Sequence, residues 1–190
     1  MLQTIKVRIE GIAPLIMHNG QTRDPMNAYS KAIKEISSKR KKTDDDYKAM
    51  ADLEWEAGLY VNERHEIIIP GFNLEACIVE GAKKSKLGQQ FKAGFFIDKD
   101  PVLEYDGPRG IDKLKKDDQF RLVAGVRIGQ AAIMRTRPRF NKWSIEFELQ
   151  YFDDVVNVGD VKKAIEDAGR LCGLCDWTPR FGRFVLASMK

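Results

Sequence analysis

Residues 143–152, WSIEFELQYF, place Ile145, Phe147, Leu149 and Tyr151 at alternate positions against Ser144, Glu146, Glu148 and Gln150. Successive strand side chains point to opposite faces, so this stretch predicts a strand with one face buried and one in water. TIKVRI repeats the pattern, with Ile5, Val7 and Ile9 opposed to Lys6 and Arg8. Half-buried strands need a cover, and two amphipathic helices supply it. One lies in NVGDVKKAIEDAGRLCGL, with Val161, Ala164, Ile165, Ala168 and Cys172 on one face. The other lies in GFNLEACIVEGAKKSKLG, with Leu74, Cys77, Ile78 and Gly81 on one face and Asn73 as its expected cap.

Other stretches fill in the order. LYV and IIIP around a polar turn read as a hairpin, and AGFFID and PVLEY as short strands. FRLVAGVRIGQAAIMRTRPRF reads as a long extended segment bent at its glycines, with 137–143 as the turn before the next strand. GRFVLAS closes the chain as a strand. Residues 21–58 differ: they are polar and charged and predict a helical insertion, with 85–118 a second, irregular one. KRKKTDDD sets a basic block at one helix end and an acidic block at the next helix start, as the helix dipole favours. Thr43 and Asp46 there form a capping box with Asp in place of Glu. Tyr47, Met50, Ala51 and Trp55 give that helix a thin apolar edge. Without the insertions the order is strand, helix, strand, strand, helix, strand. That is one α+β domain over 1–190, a ferredoxin-like (RNA-recognition-motif-like) antiparallel sheet with two core helices on one face and the other face free.

The 190 residues are 43% hydrophobic and 32% charged, a globular balance. No apolar run approaches the ~20 residues that span a bilayer, and the alternating start is unlike a signal peptide. Three cysteines make no disulfide framework and point to a reducing, cytoplasmic setting. The net charge of +4 identifies no partner, but its placement is informative. From 119 to 145 the chain carries Arg121, Arg127, Arg135, Arg137, Arg139 and Lys142 and no acid. Lys83, Lys84, Lys86 and Lys92 form a second acid-free cluster, and Arg180, Arg183 and Lys190 a third. Such clusters are the footprint of phosphate binding when they share a face, and a solvated surface when they do not.

Two motifs carry a family resemblance. Ile69-Pro70-Gly71 opens the first core helix, in IPGFNLEACIVEGAKK. Phe181-Gly182-Arg183-Phe184 ends the loop GLCDWTPRFGRF before the last strand. Together with the core order these resemble the RAMP superfamily, the repeat-associated proteins that form the backbone of CRISPR effector complexes, and most resemble a compact stand-alone relative on a phage or other mobile element. Trp177, Pro179 and Arg180 stand where the family loop commonly has glycine and serine. The resemblance implies a protein that holds single-stranded nucleic acid by its backbone and assembles side by side along it.

The residues permit a matching reading. Arg135, Arg137 and Arg139 at spacing two line one strand face, with Ile133 in the same row. Phe140, Lys142 and Trp143 follow, so phosphates can pair and bases can stack; the alternative is a strand edge protected by charge. In the loop, Gly173 is expected as a left-handed helix cap and Trp177 as a core residue. Arg180, Phe181, Gly182 and Arg183 are ligand candidates, as are Lys83 and Lys84. Cys172 and Cys175 form C-x-x-C at a helix C-terminus, where the dipole does not activate a thiol, and Cys172 is expected in the core. No metal ligands at zinc spacing, phosphate loop or dinucleotide fingerprint is present, and neither catalytic residues, metal nor small-molecule cofactor is expected. The reading is a non-catalytic single-strand-binding protein, forming homo-oligomers or a filament on the strand, with no membrane partner. The alternatives are a metal-independent RNA endonuclease using His18 or His65, a protein-interaction module or inhibitor mimicking a CRISPR subunit, and a virion component.

Overall fold

Ile5, Val7 and Ile9 alternate within the strand Leu2–Gly11 (β1), the first element of a computed structural model that describes residues 1–128 and 131–190, with the side chains of 126–128, 131 and 132 left out. The elements that follow are β2 (Leu15–Ile16), α1 (Ala28–Ser37), α2 (Asp44–Gly58), α3 (Gly71–Lys83), α4 (Gly88–Gly94), β3 (Phe95–Phe96), β4 (Glu104–Tyr105), α5 (Ile111–Lys115), β5 (Arg121–Ile128), β6 (Ala131–Phe140), β7 (Trp143–Phe152), α6 (Val158–Asp167) and β8 (Phe184–Met189). They divide into two compact units: residues 1–15, 61–106 and 141–190, and residues 16–60 and 107–140.

The first unit holds the expected core. Its sheet runs β3-β7-β1-β8, with β4 also on β7 and every pairing antiparallel. Counting only these four strands with α3 and α6, the order 2-3-1-4 is that of the split βαβ fold. Val7 pairs with Phe147 and Ile9 with Ile145, all four buried. The two core helices touch at Gly81, where a Cβ would lie 2.1 Å from the Ala164 carbonyl oxygen. After α6 the helix widens into a π-turn over Ala168–Cys172.

The Ile69-Pro70-Gly71 motif now has a physical reason. Pro70, not Asn73, caps α3, and Asn73 lies inside the helix. A proline gives up no hydrogen bond at a helix start, and the Gly71 N–H donates to Asp100 Oδ1 at 2.7 Å. A Cβ on Gly71 would stand 2.7 Å from the Ile97 carbonyl oxygen, so glycine permits that approach. The expected hairpin at 59–70 reduces to a single bridge between Val61 and Ile67.

The second unit shows why the insertion is more than a solvated helical pair. Trp55 is fully buried and its indole N–H donates to the Phe120 carbonyl at 2.8 Å. Leu114, Phe120 and Phe140 are buried in the same unit. The apolar edge of α2 therefore has a core to join, made with residues 107–140. Thr43 and Asp46 form the expected capping box. The long extended segment is a hairpin, β5 on β6, in a separate sheet of order β2-β6-β5. β6 continues to Phe140, leaving only Asn141 and Lys142 before β7, so 137–143 is not a turn between paired strands. Gly129 and the side chain of Arg127, both in the expected extended segment, lie outside the described residues.

Candidate nucleic-acid interface

In the second unit, Met17 N–H donates to the Pro138 carbonyl at 3.0 Å, after which the chain leaves the side of β6. The next strand N–H on that edge, at Thr136, needs another acceptor. Glu54 of α2 provides it: its Oε2 accepts from Thr136 N–H at 2.9 Å, and its Oε1 holds the Arg135 guanidinium. Where β2 has ended, a cleft of about 380 Å³ opens. His18, Lys34, Arg135 and Arg137 line it, and Glu54 is the carboxylate among its lining residues. Arg135 neutralises Glu54, and Lys34 and Arg137 bring two further basic side chains to the same cleft.

The arginine row is real as geometry. Thr136, Pro138 and Phe140 are buried while Arg135, Arg137 and Arg139 are half-buried on the opposite face of β6. The three are not equivalent. Arg135 is committed to Glu54, Arg137 donates from Nη1 to the Thr136 carbonyl at 3.4 Å, and Arg139 donates from Nε to the Gln119 carbonyl at 3.2 Å. Glu54 and Lys34 escaped the sequence reading. For Glu54 a signal exists: it sits seven residues after Tyr47, the i+7 position of the edge formed by Tyr47, Met50, Ala51 and Trp55, where an apolar residue belongs.

The first unit corrects several expectations. Trp143 is 4% exposed and its indole N–H donates to the Ala13 carbonyl at 2.8 Å, so it is a core residue and not a base-stacking platform. Lys142 is exposed, 3.6 Å from Asp106. Gly182 has a φ of 71° and a Cβ there would meet the Leu174 carbonyl oxygen at 1.9 Å. Its close backbone approach is thus to Leu174 of its own chain. Gly173 has a positive φ of 84° but an extended ψ of 158°, which is not the left-handed helical cap. Trp177 is half-buried against Phe181, and Leu174 is the loop's core residue. Arg180 lies 5.7 Å over the Phe181 ring, and Arg183 donates from Nε to the Pro179 carbonyl at 2.7 Å; both are exposed. Lys83 pairs with Glu80, and Lys84 is exposed beside it.

The sheet face that the two core helices leave free carries both signs of charge. It presents Lys6, Arg8 and Lys190 against Glu10, Glu104, Glu146 and Glu148. Glu146 binds Lys6 at 2.7 Å and Glu104 binds Arg8 at 2.7 Å, which leaves the face net acidic. Its aromatic pair, Phe96 and Phe152, sits at one end with ring centres 6.5 Å apart. A net acidic face repels a phosphate backbone.

Among the thiols, Cys77 is buried and its Sγ–H donates to the Gly173 carbonyl at 3.2 Å. Cys172, expected in the core, is only half-buried. Burial raises all three thiols above their ordinary value, Cys175 to about 12. His65 lies exposed on the turn after Val61, at a φ of 59°, and does not line the cleft. Among the described residues no group of three or more His, Cys, Asp or Glu side chains could hold a metal ion, and no helix is long and apolar enough to cross a membrane.

No family model and no curated protein matches this sequence. Solved structures do. A chain of the Type III-B Cmr-beta bound to cognate target RNA, determined by cryo-EM, superimposes with a TM-score of 0.54 at 10% identity, over 100% of this chain and 60% of that one. Cmr6 from Pyrococcus furiosus aligns at a TM-score of 0.39 and 15% identity, over 98% of this chain and 99% of that one. The first of these shows a RAMP-like α+β fold, and this chain spans about 60% of that neighbour's length.

Proposed function

We propose that this chain binds single-stranded nucleic acid, RNA in the first instance, through the phosphate backbone and without cutting it. The observation that carries the reading is the cleft of the second unit, where Lys34, Arg135 and Arg137 converge around one neutralised carboxylate. Arg139 extends the row along β6. A rigid strand bearing guanidiniums at every second residue suits an extended backbone, because each can pair with a phosphate through parallel N–H donors. The bound target RNA in the Type III-B Cmr-beta structure supports the same reading. The three free cysteines fit a reducing, cytoplasmic setting. Copies assembling along the strand would meet through the turn between α1 and α2, where Lys39, Arg40 and Lys41 are exposed; light scattering with and without a long strand tests this part.

Fluorescence anisotropy of a labelled single-stranded RNA across a salt series tests the binding. Lys34→Ala, Arg137→Ala and Arg139→Ala are each expected to lower the log–log salt slope by roughly 0.7. An unchanged slope in the folded triple variant removes the cleft from the interface.

One observation favours a second reading. His18 lines the same cleft as Arg137 and Lys34, where an imidazole could move a proton to or from a bound strand. Gel analysis of RNA incubated with the protein separates the two: intact RNA supports binding alone, and cleavage abolished by His18→Ala supports the endonuclease.

A further inference from the structure

The first unit carries a second concavity, and it differs in kind from the arginine cleft. Between α3, α4 and residues 172–178 lies a groove of about 600 Å³. Phe91 and Phe95 form part of its wall, packed edge to face with ring centres 5.5 Å apart. Cys77, protonated and buried, adds an uncharged surface. These groups make an apolar interior with no charge to satisfy.

The rim is polar and specific. Phe72 stands on it at 64% exposure, unusual for a phenylalanine in the first turn of a core helix. Asn73 and Glu75 follow it on α3. Glu75 Oε1 accepts the Ile97 N–H at 2.7 Å, which fixes the carboxylate, while its Oε2 accepts no hydrogen bond from the described residues. Lys92 of α4 lines the same groove and has no carboxylate within ion-pair distance among the described residues. The groove thus offers an open aromatic face, an amide, a fixed carboxylate oxygen and an ammonium group together.

From this set we propose that the groove is a nucleobase pocket: Phe72 stacks on the base, Asn73 and Glu75 read its edge, and Lys92 pairs with the attached phosphate. The inference rests on the nucleic-acid reading above and adds base recognition to backbone contact. Stacking requires a π face and tolerates any base. The fixed carboxylate is selective, because a carboxylate only accepts. It favours bases with an exocyclic amine (adenine, cytosine, guanine) over uracil, whose edge carries two carbonyls and one N–H. A peptide side chain entering the groove would use the apolar wall but would leave Glu75 and Lys92 without partners.

Calorimetric titration of the full chain with 5′-AMP, 5′-UMP and ribose 5-phosphate tests the pocket. AMP should bind, UMP more weakly, and ribose 5-phosphate more weakly still. Phe72→Ala should weaken AMP binding roughly 5- to 150-fold, the range for one stacked base, with no change in melting temperature because the ring is exposed. Glu75→Gln should abolish the preference for AMP over UMP. Adenosine, which has no phosphate for the arginine cleft to hold, should bind the parent and lose that binding in Phe72→Ala, so failure of the arginine cleft and failure of this pocket give different results. The proposal is overturned if ribose 5-phosphate binds as tightly as AMP, if folded Phe72→Ala binds AMP unchanged, or if AMP does not bind at millimolar concentration.

Discussion

Glu54 and Arg135 form an ion pair in which the carboxylate is 7% exposed and also takes a backbone N–H of the strand that carries the arginine. The pair joins α2 to β6 at the point where β2 no longer covers the strand edge. Removing either partner strands the other. Glu54→Ala strips the Thr136 N–H of its acceptor and leaves a half-buried guanidinium unpaired, so the variant is expected to lose about 2–4 kcal/mol of unfolding free energy. Arg135→Ala leaves a buried carboxylate that keeps one hydrogen bond, and a similar loss is expected. Combining Glu54→Gln with Arg135→Met should cost less than the sum of those two changes made singly, measured by urea denaturation as a double-mutant cycle.

Gly182 and Gly81 are expected to refuse a side chain for different reasons. At Gly182 a methyl group collides with the Leu174 backbone and the positive φ is itself unfavourable. At Gly81 the conformation is helical and the obstacle is α6, with the Ala168 backbone nitrogen 2.7 Å from the new Cβ. Gly81→Ala should lower stability by about 1–3 kcal/mol, the cost of overpacking, and Gly182→Ala by at least as much. Thermal melts of the two single variants check both. A melting temperature unchanged in Gly182→Ala would show that the loop can move off Leu174.

The strands and helices of the first unit were legible because each solves a local problem visible in a short window. Glu146 and Glu148 between Ile145, Phe147 and Leu149 can only mean a half-buried strand. The second unit was not legible as a unit. Its core joins Trp55 to Phe120 across 65 residues, and no local pattern records which apolar edge another will meet. The same limit governs the site. Arg135, Arg137 and Arg139 share a face by spacing alone, whereas Glu54 can be paired with Arg135 only once α2 and β6 are placed. Trp143 misled for a related reason: an aromatic beside a basic run fits a stacking platform until Ala13 supplies a buried acceptor for its N–H.

The C-x-x-C pair should be chemically quiet. Burial holds Cys175 at about 12 and raises Cys172 and Cys77, so at pH 8 less thiolate is present than on a free cysteine of pKa ≈ 8.5. Iodoacetamide should label the native protein more than tenfold slower at Cys175 and Cys77 than it labels the unfolded chain. Mass spectrometry of timed samples gives the site-specific rates, and rapid native labelling at half-buried Cys175 would contradict its raised thiol.

Asp167 predicts a particular acid limb to the stability curve. It ends α6, where a negative charge opposes the helix dipole, yet its side chain is 7% exposed and binds Lys163 through Oδ2 and Arg170 through Oδ1, each at 3.0 Å. The hydrogen bond from Lys163, with a smaller contribution from Arg170, holds its carboxyl below the ordinary carboxylate value. A group whose pKa is lower in the folded state stabilises the fold above its unfolded pKa and loses that contribution as the pH falls through the folded one. Both cations are largely exposed, so the contribution is modest, on the order of 1 kcal/mol. Asp167→Asn should therefore be less stable than the parent at pH 7 and at pH 5, and the gap should begin to close below about pH 4, where the unfolded chain's carboxyl takes up its proton, and vanish as the folded carboxyl titrates at lower pH. Urea midpoints at pH 7, 5 and 3 measure the gap directly. A difference that persists undiminished at pH 3 would assign the loss to packing of the amide and not to the charge on Asp167.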